Sequence, residues 1–424
     1  MRGPGQPQTA FVNSELSHQH ISFVPMEDPA PSYLAVDMSG TSEQPFKISV
    51  SDSDIELLHK KLELARLPDE LDEAGWEYGV PLTDVQRLIA RWKNGFDWRK
   101  AEAKINELPQ FTRDIEVDGF GTLDIHYIHQ KSKVQGAIPL LFVHGWPGHF
   151  LEVRKILPLL TAESSEHPSF HVVALSLPNF GFSEGPKKKG FGQKQYAEVS
   201  NKLMLALGYD GYVVQGGDWG FIIGRNLATF SSVKAWHTNL PLGTPPSLIS
   251  HPLLFLSNLL IPRTAAERRG WSGRRDIAAK EWVICTNNPH SRRPWIYEKL
   301  VLWSDGYAWE DDEVLEWVSV YWFSRAGPAA SVRIYYEINA EGSIWGNGPK
   351  SSTPLGLSYF PKEIVVVPKS WARTIGKVVF EAEHTSGGHF AAVEKHEELV
   401  GDLRKMFAKK GPAYGVVRGK SGYA

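Results

Sequence analysis

Cysteine is almost missing from this chain of 424 residues, with Cys285 as its only representative. A single thiol excludes an intramolecular disulfide and any cysteine-based zinc cluster. A charge excess is missing too, because Lys+Arg 46 stand against Asp+Glu 48 for a formal net charge of -2. A polyanion needs a basic field that such a balance does not supply, so no nucleic acid partner is expected. No run reaches the roughly 18 uninterrupted apolar residues that a membrane span requires. The longest, PLLFLSNLLIP at 252–262, is interrupted by Ser257 and Asn258 and reads as a buried or mouth-lining element. The N-terminus, MRGPGQPQTAFVNSELSHQHISF, has no apolar stretch resembling a signal-peptide core. The expectation is a cytoplasmic or otherwise soluble intracellular protein. Its length suffices for a large core without metal or disulfides.

Residues 1–45 mix Pro, Gly, Ser and acidic side chains without a sustained period and read as a loose arm. An N-terminal segment over 46–135 follows. Ile55, Leu58, Leu62 and Ala65 recur at helical spacing before Pro68, Thr83 and Gln86 offer a capping box, and 97–108 reads as a further helix. Ile115 and Val117, a turn at Asp118 and Gly119, then Leu123, Ile125 and Tyr127 predict a hairpin. Over 136–250 the apolar runs AIPLLFVHG, FHVVALSLP and YDGYVVQGG end in turns and alternate with helical segments. That texture predicts an α/β core with a sheet covered on both faces. Between 251 and 345 the rhythm gives way to a Trp- and Arg-rich, mainly helical stretch, and it returns over 346–424 with KEIVVVP at 362–368 and KVVFEAE at 377–383. The interruption reads as a lid inserted into one sheet, with chemistry at the junction.

The sharpest local feature is VVQGGDWGFIIGRNLA at 213–228, where a strand runs through Gly216 and Gly217 to Asp218 and then Trp219, Gly220 and a helix. Small residues on both sides of one functional side chain are what a strand-to-helix elbow needs. A carboxylate at the apex makes Asp218 the candidate nucleophile and an ester the intermediate, although alone it also reads as an N-cap. A weaker serine elbow, Gly181-Phe182-Ser183-Glu184-Gly185, is displaced from its strand by Pro178 and Asn179 and reads as a loop bordering the pocket. In LFVHGWPG at 141–148 the strand end frees backbone N–H groups, so those of Trp146 and Trp219 can face one oxyanion, with His144 structural. Glu363 and His389 follow along the chain. Nucleophile, acid, then histidine is the order of an α/β-hydrolase triad.

With these motifs the chain resembles the α/β-hydrolase fold epoxide hydrolases, in the microsomal-type branch that includes soluble fungal enzymes. GWEYGVP at 75–81, HGWPG at 144–148, LPNFGFSEGP at 177–186, GGDWG at 216–220, SVRIYYE at 331–337, YFPKE at 359–363 and GGHFAAVE at 387–394 carry the resemblance. It implies an α/β-hydrolase fold with an inserted, mainly helical lid and an N-terminal extension. It also implies Asp218 as nucleophile, His389 as water-activating base, Glu363 as its orienting acid and Tyr335 as donor to the oxirane oxygen. The expected reaction joins a small apolar epoxide and water into a vicinal diol, with no metal or organic cofactor. Trp146, Phe182, Trp219 and Tyr336 are the expected substrate-binding residues. Mammalian microsomal relatives carry an N-terminal membrane anchor, which is not expected here, and a homo-oligomer is left open.

One departure from the family pattern stands out. A second lid tyrosine belongs upstream of PWIYEKLVLW, yet RRGWSGRRDIAAKEWVICTNNPHSRR at 268–293 contains none, and Tyr297 does not match by motif. Two other readings stay open on the sequence. HGWPG and GGDWG also suit a haloalkane dehalogenase, and the absent tyrosine suits a catalytically impaired ligand-binding or interaction protein.

Overall fold

Strands form where the apolar runs are continuous, because both faces of the central sheet are covered. All six residues of β4 (Ile138–Val143) and all five of β6 (Tyr212–Gly216) are buried. The computed structural model describes residues 43–260, 262, 267, 292–340 and 348–424. Apart from its last three residues, the expected arm lies outside these, as do Cys285 and nearly all of the tyrosine-free stretch at 268–293.

Among the described residues the sheet has nine strands in the order β1-β2-β3-β5-β4-β6-β7-β8-β9. Its remaining strands are β1 (Gln44–Pro45), β2 (Gln110–Val117), β3 (Gly121–Gln130), β5 (Phe170–Leu175), β7 (Val233–Thr238), β8 (Pro354–Tyr359) and β9 (Lys377–Glu383). From β5 to β9 every neighbouring pair is parallel, whereas β1, β2 and β3 pair antiparallel and β3 joins β5 antiparallel. Parallel neighbours point their C-terminal ends the same way, so the loops after β4, β6, β8 and β9 gather at one edge of the sheet. Two apolar clusters form on the chain's buried side chains, one including Leu141, Val143, Val214 and Trp219, the other Leu140, Phe142, Val213 and Phe407. The alternation of Leu140 and Leu141 between clusters is the period-2 signature of a strand buried on both faces.

In the N-terminal segment the helices are α1 (Asp52–Glu63), α2 (Leu82–Asn94) and α3 (Trp98–Ile105). Ser51 caps α1 by accepting from the Asp54 N–H at 3.1 Å. The expected capping box at Thr83 and Gln86 does not form. Pro81 is the N-cap residue and no side chain caps α2, because Thr83 already lies within the first turn. The hairpin of β2 and β3 turns through 118–120 as the sequence predicts.

A second correction concerns KEIVVVP. The strand in this region is Pro354–Tyr359, and 362–368 carries only one bridge, from Lys362 to Gly388. Pro361 has no N–H to give to a ladder, and the chain leaves the sheet there. Val365 and Val367 are buried all the same, which explains their strand-like appearance in sequence.

Before β7 come α4 (Leu157–Thr161), α5 (Gln193–Ala206) and α6 (Trp219–Leu227), which pack along the core strands, and between β7 and β8 the described helices are those of the lid, α7 (Pro252–Leu260), α8 (Arg292–Leu302), α9 (Asp311–Trp322) and α10 (Arg333–Ala340). Of the two readings of the run at 252–262, a buried or a mouth-lining element, burial does not hold over α7: none of its residues is buried, and Leu253 is 80% exposed. Its polar residue makes the attachment, since Asn258 Oδ1 accepts from Ser370 Oγ at 3.1 Å and from Trp371 Nε1 at 3.0 Å. Among the described residues no helix is long and apolar enough to cross a membrane.

Candidate active site

At the end of β6 the chain turns so sharply that Asp218 takes φ 51°, one of three non-glycine residues at positive φ among those described. Such a conformation costs about 1–3 kcal/mol and persists only where neighbours enforce it. Here they do. A Cβ on Gly220 would lie 2.1 Å from the Val143 carbonyl oxygen, and one on Gly216 would lie 2.8 Å from the Gly220 carbonyl. Asp218 occupies the N-cap position of α6, but its carboxylate makes no capping bond. Instead Oδ1 accepts from the Trp146 N–H at 2.8 Å, and Oδ2 lies 3.5 Å from His389 Nε2.

HGWPG is shaped to let that carboxylate in. A Cβ on Gly145 would stand 2.3 Å from Asp218 Cβ, and the Trp146–Pro147 peptide is cis. His144 is buried and structural: its Nδ1 meets the Gly145 carbonyl at 2.9 Å while Nε2 accepts from the Leu177 N–H at 3.1 Å. Burial lowers its pKa to about 4, so the ring is neutral. Lid helix α9 holds the same loop from above, with Trp317 Nε1 donating to the Pro147 carbonyl at 2.7 Å and the Tyr321 hydroxyl donating to the Gly148 carbonyl at 2.6 Å. Both residues lie in DDEVLEWVSVYWF at 311–323, a stretch that reads in sequence as lid helix with no individual site role.

His389 reaches the site on the loop after β9. Its N–H donates to the Trp303 carbonyl at 2.8 Å, and a Cβ on Gly388 would lie 2.5 Å from that same oxygen, which explains the glycine beside it. Nδ1 donates to Glu363 Oε1 at 2.6 Å, in a pair whose side chains are 5% and 2% exposed. Burial alone would favour the neutral ring, but the Glu363 charge and the contacts with Asp218 outweigh it and raise His389 well above its usual pKa. Glu363 sits on the loop leaving β8, so acid, histidine and aspartate come from three strand ends at one edge of the sheet.

Tyr335, on α10, packs its ring edge-on against Trp219 at 4.8 Å and Trp146 at 5.6 Å, which puts it over the elbow. Trp219 is the first residue of α6, and the Phe221 N–H two residues on donates to the Gly217 and Asp218 carbonyls at 3.2 and 3.0 Å, which closes the elbow into the helix. Two of the expected substrate-binding residues are not brought to the elbow. Phe182 packs against Phe46, His126 and Phe150 on the other side of its loop, because Ser183 is pinned there by donating to the Ser176 carbonyl at 2.6 Å. That bond also disposes of the serine elbow. Tyr336 is 76% exposed, since the residue after Tyr335 turns about 100° around the helix, away from the elbow. Tyr297 accepts from Arg87 Nη2 at 3.2 Å in the N-terminal segment.

The sequence reading also passed over three polar residues beside the nucleophile. Glu152, Gln215 and Asn239 line one small cavity with Asp218 and His389. Gln215 Nε2 donates to Asn239 Oδ1 at 2.9 Å. A polar residue inside the apolar strand YVVQG is the signal that could have found Gln215. Among the described residues no group of three or more His, Cys, Asp or Glu is placed to hold a metal ion.

Comparison with known proteins agrees with this geometry. Residues 43–153 match the family described as epoxide hydrolase N terminus, and residues 138–253 match the alpha/beta hydrolase fold. The chain is 35% identical over 409 residues to epoxide hydrolase 1 of Sus scrofa, covering 86% of this chain and 88% of that protein. The solved epoxide hydrolase of Aspergillus niger superposes with a TM-score of 0.71 at 32% identity, over 86% of this chain and 95% of that one. The juvenile hormone epoxide hydrolase of the silkworm Bombyx mori superposes with a TM-score of 0.74 at 25% identity, over 86% and 93%. A strained carboxylate elbow, a buried histidine and acid, and a helical insertion above them thus coincide with likeness over 86% of the chain, and the chain belongs to the epoxide hydrolase family of the α/β-hydrolase superfamily.

Proposed function

We propose that the protein hydrolyses an apolar epoxide to a vicinal diol through an ester on Asp218. The observation that carries this reading is the division of labour between the two carboxylate oxygens. Oδ1 is already held by the Trp146 N–H, as a carbonyl oxygen would be, while Oδ2 is the oxygen that faces the imidazole. Oδ2 attacks an oxirane carbon, the ring C–O bond breaks, and Tyr335 gives a hydrogen bond or proton to the departing oxygen. His389 then takes a proton from water, and the hydroxide adds to the ester carbonyl carbon. Trp146 and Trp219 N–H groups hold the charge that develops on Oδ1. Collapse breaks the Cγ–Oδ2 bond as the imidazolium protonates Oδ2, the diol leaves with that oxygen, and the acid left on Asp218 passes its proton to the ring to restore the carboxylate. Glu363 fixes the imidazole and offsets its positive charge.

The surrounding rings favour an apolar substrate. Trp295 lies 4.3 Å from the Trp146 ring, and Trp303 packs edge-on to His389 at 5.1 Å, so the approach to Oδ2 runs between aromatic faces. A single turnover of excess enzyme in heavy-oxygen water tests the mechanism. The first diol is expected to carry no solvent oxygen, with the label entering the Asp218 carboxylate. Label in that first diol would replace the covalent route with direct attack by water. Chloride release from a haloalkane by the same preparation would instead favour a dehalogenase, and diol formation that survives Asp218→Ala would remove the nucleophile from this residue.

A further inference from the structure

The cavity beside the nucleophile measures about 20 Å³. A space of roughly 10–15 Å³ on this measure admits one water, so there is room for a single molecule. Its polar wall is unusual for so small a space. Gln215 Oε1 is buried with no hydrogen-bond partner, although the amide nitrogen of the same side chain is committed to Asn239. Buried polar atoms are normally paired, and an orphan at a cavity wall marks the place of a ligand that accepts or donates there. Asn239 in turn reaches the His389 carbonyl at 3.5 Å, so the orphaned amide is tied to the loop that carries the base.

Glu152 completes the wall. Its carboxylate fills the space that a side chain at 148 would take, since a Cβ on Gly148 would lie 1.7 Å from Oε1. Burial raises this carboxyl to about 8, against the pull of the His389 charge, so at neutral pH it is a protonated acid that both donates and accepts. Glu152 also lines a second cavity of about 490 Å³, bordered by Arg91, Asp97, Lys100 and Glu316. Asp97 and Lys100 are exposed and Glu152 is half-buried, so this second cavity opens to solvent between the N-terminal helices and lid helix α9.

We propose that Glu152 and Gln215 hold the hydrolytic water against His389, in a seat filled from the side of the N-terminal helices. Resting on the covalent reading above, this assignment adds two positioning residues to it. Gln215 accepts one water hydrogen, Glu152 fixes the water oxygen or its second hydrogen, and His389 removes the proton that remains directed at it. Both residues therefore act on ester hydrolysis and have no part in opening the epoxide. Water entry from the N-terminal side also leaves the aromatic approach to the substrate.

The test separates the two chemical steps in Glu152→Leu, Glu152→Gln and Gln215→Met, with thermal unfolding confirming the fold. Excess enzyme is mixed rapidly with styrene oxide, and the ester is followed by intact-protein mass in quenched samples. Loss of a water contact is expected to slow ester decay by about 10- to 100-fold in Glu152→Leu and Gln215→Met. Ester formation should change by much less, so that the adduct accumulates. Glu152→Gln, which keeps a donor and an acceptor, should fall between wild type and Glu152→Leu, a graded rescue that a filler of space would not give. Ester decay within about twofold of wild type in both Glu152→Leu and Gln215→Met overturns the water seat while leaving the covalent route standing. A parallel fall of formation and decay overturns it as well, because the residues would then support the whole site. Absence of any ester in the wild type would overturn the covalent reading and this assignment with it.

Discussion

Replacing Glu363 with glutamine removes one charge and almost no volume, which isolates what the acid does for the histidine. The pair is joined at 2.6 Å, and its side chains are 2% and 5% exposed, so little water screens the interaction. Breaking a buried ion pair by removing one partner costs about 3–5 kcal/mol, and a retained amide oxygen still accepts from Nδ1, which places the expected loss near the lower end. About 3 kcal/mol corresponds to roughly 10²-fold in the rate of ester hydrolysis. The sign of the pH effect follows from the same contact. Burial opposes the imidazolium, while Glu363 and Asp218 together outweigh burial and raise His389 well above its usual value. Withdrawing the Glu363 charge lowers it, so the acid limb of ester decay, where the ring is protonated and cannot accept, moves to lower pH in Glu363→Gln. Rapid mixing at a series of pH values, with adduct decay read by intact mass, measures both quantities. A limb that stays in place, together with decay within threefold of wild type, would refute the claim that the Glu363 charge supports the base.

His389→Gln is expected to form the Asp218 ester and retain it, so that the protein mass rises by the mass of the epoxide; a variant that turns over like wild type would move the base elsewhere. Tyr335→Phe should slow ester formation by about 10²- to 10³-fold, as loss of one transition-state donor does, whereas Tyr336→Phe should leave it near wild type because Tyr336 is 76% exposed. Stopped-flow fluorescence of the two variants compares them directly, and the reverse ranking would reassign the donor. Gly220→Ala should lower the thermal midpoint by several degrees in calorimetry, since its Cβ would press on the Val143 carbonyl from 2.1 Å and overpacking of this kind costs about 1–3 kcal/mol. An unchanged midpoint would show that the elbow relaxes more freely than this packing implies.

Much of the site was legible because the chemistry imposes local sequence. The elbow needs Gly216, Gly217 and Gly220 around Asp218, and each of these glycines faces backbone or a side chain that excludes a Cβ. Asp218, Glu363 and His389 follow the ends of β6, β8 and β9 in chain order, so chain order carried spatial information. What stayed illegible depends on contacts across the chain. Phe182 sits in a motif beside the pocket yet turns its ring toward Phe46, because Ser183 and the His126 backbone fix the loop. Tyr335 and Tyr336 are neighbours in sequence and face different ways on one helix. KEIVVVP has strand composition, but Pro361 and the pairing of Pro354–Tyr359 with β7 and β9 place the strand earlier. Glu152 has no local signal at all: it lies in HFLEV, and only Gly148 giving up its side chain brings that carboxylate to the nucleophile.

On the covalent route proposed above, the resting charges order the two chemical steps. Between Glu363 and Asp218 the imidazole holds its proton, and an imidazolium cannot draw a proton from water, so the site does not activate water before substrate has reacted. Attack by Oδ2 turns the Asp218 carboxylate into a neutral ester and places one negative charge on the oxirane oxygen beneath Tyr335. The total charge is unchanged and its position has moved away from Nε2. One of the two influences that raised His389 is thereby gone, and a strong proton acceptor has appeared at the phenol. Passage of the imidazolium proton to that oxygen, with Tyr335 as the donor that is refilled, leaves a neutral ring beside the ester. Only then does His389 become a base. Hydrolysis regenerates the Asp218 carboxylate, which again raises the histidine and returns it to its protonated form, so the same pair of charges that suppresses water activation at rest also resets the site after each turnover.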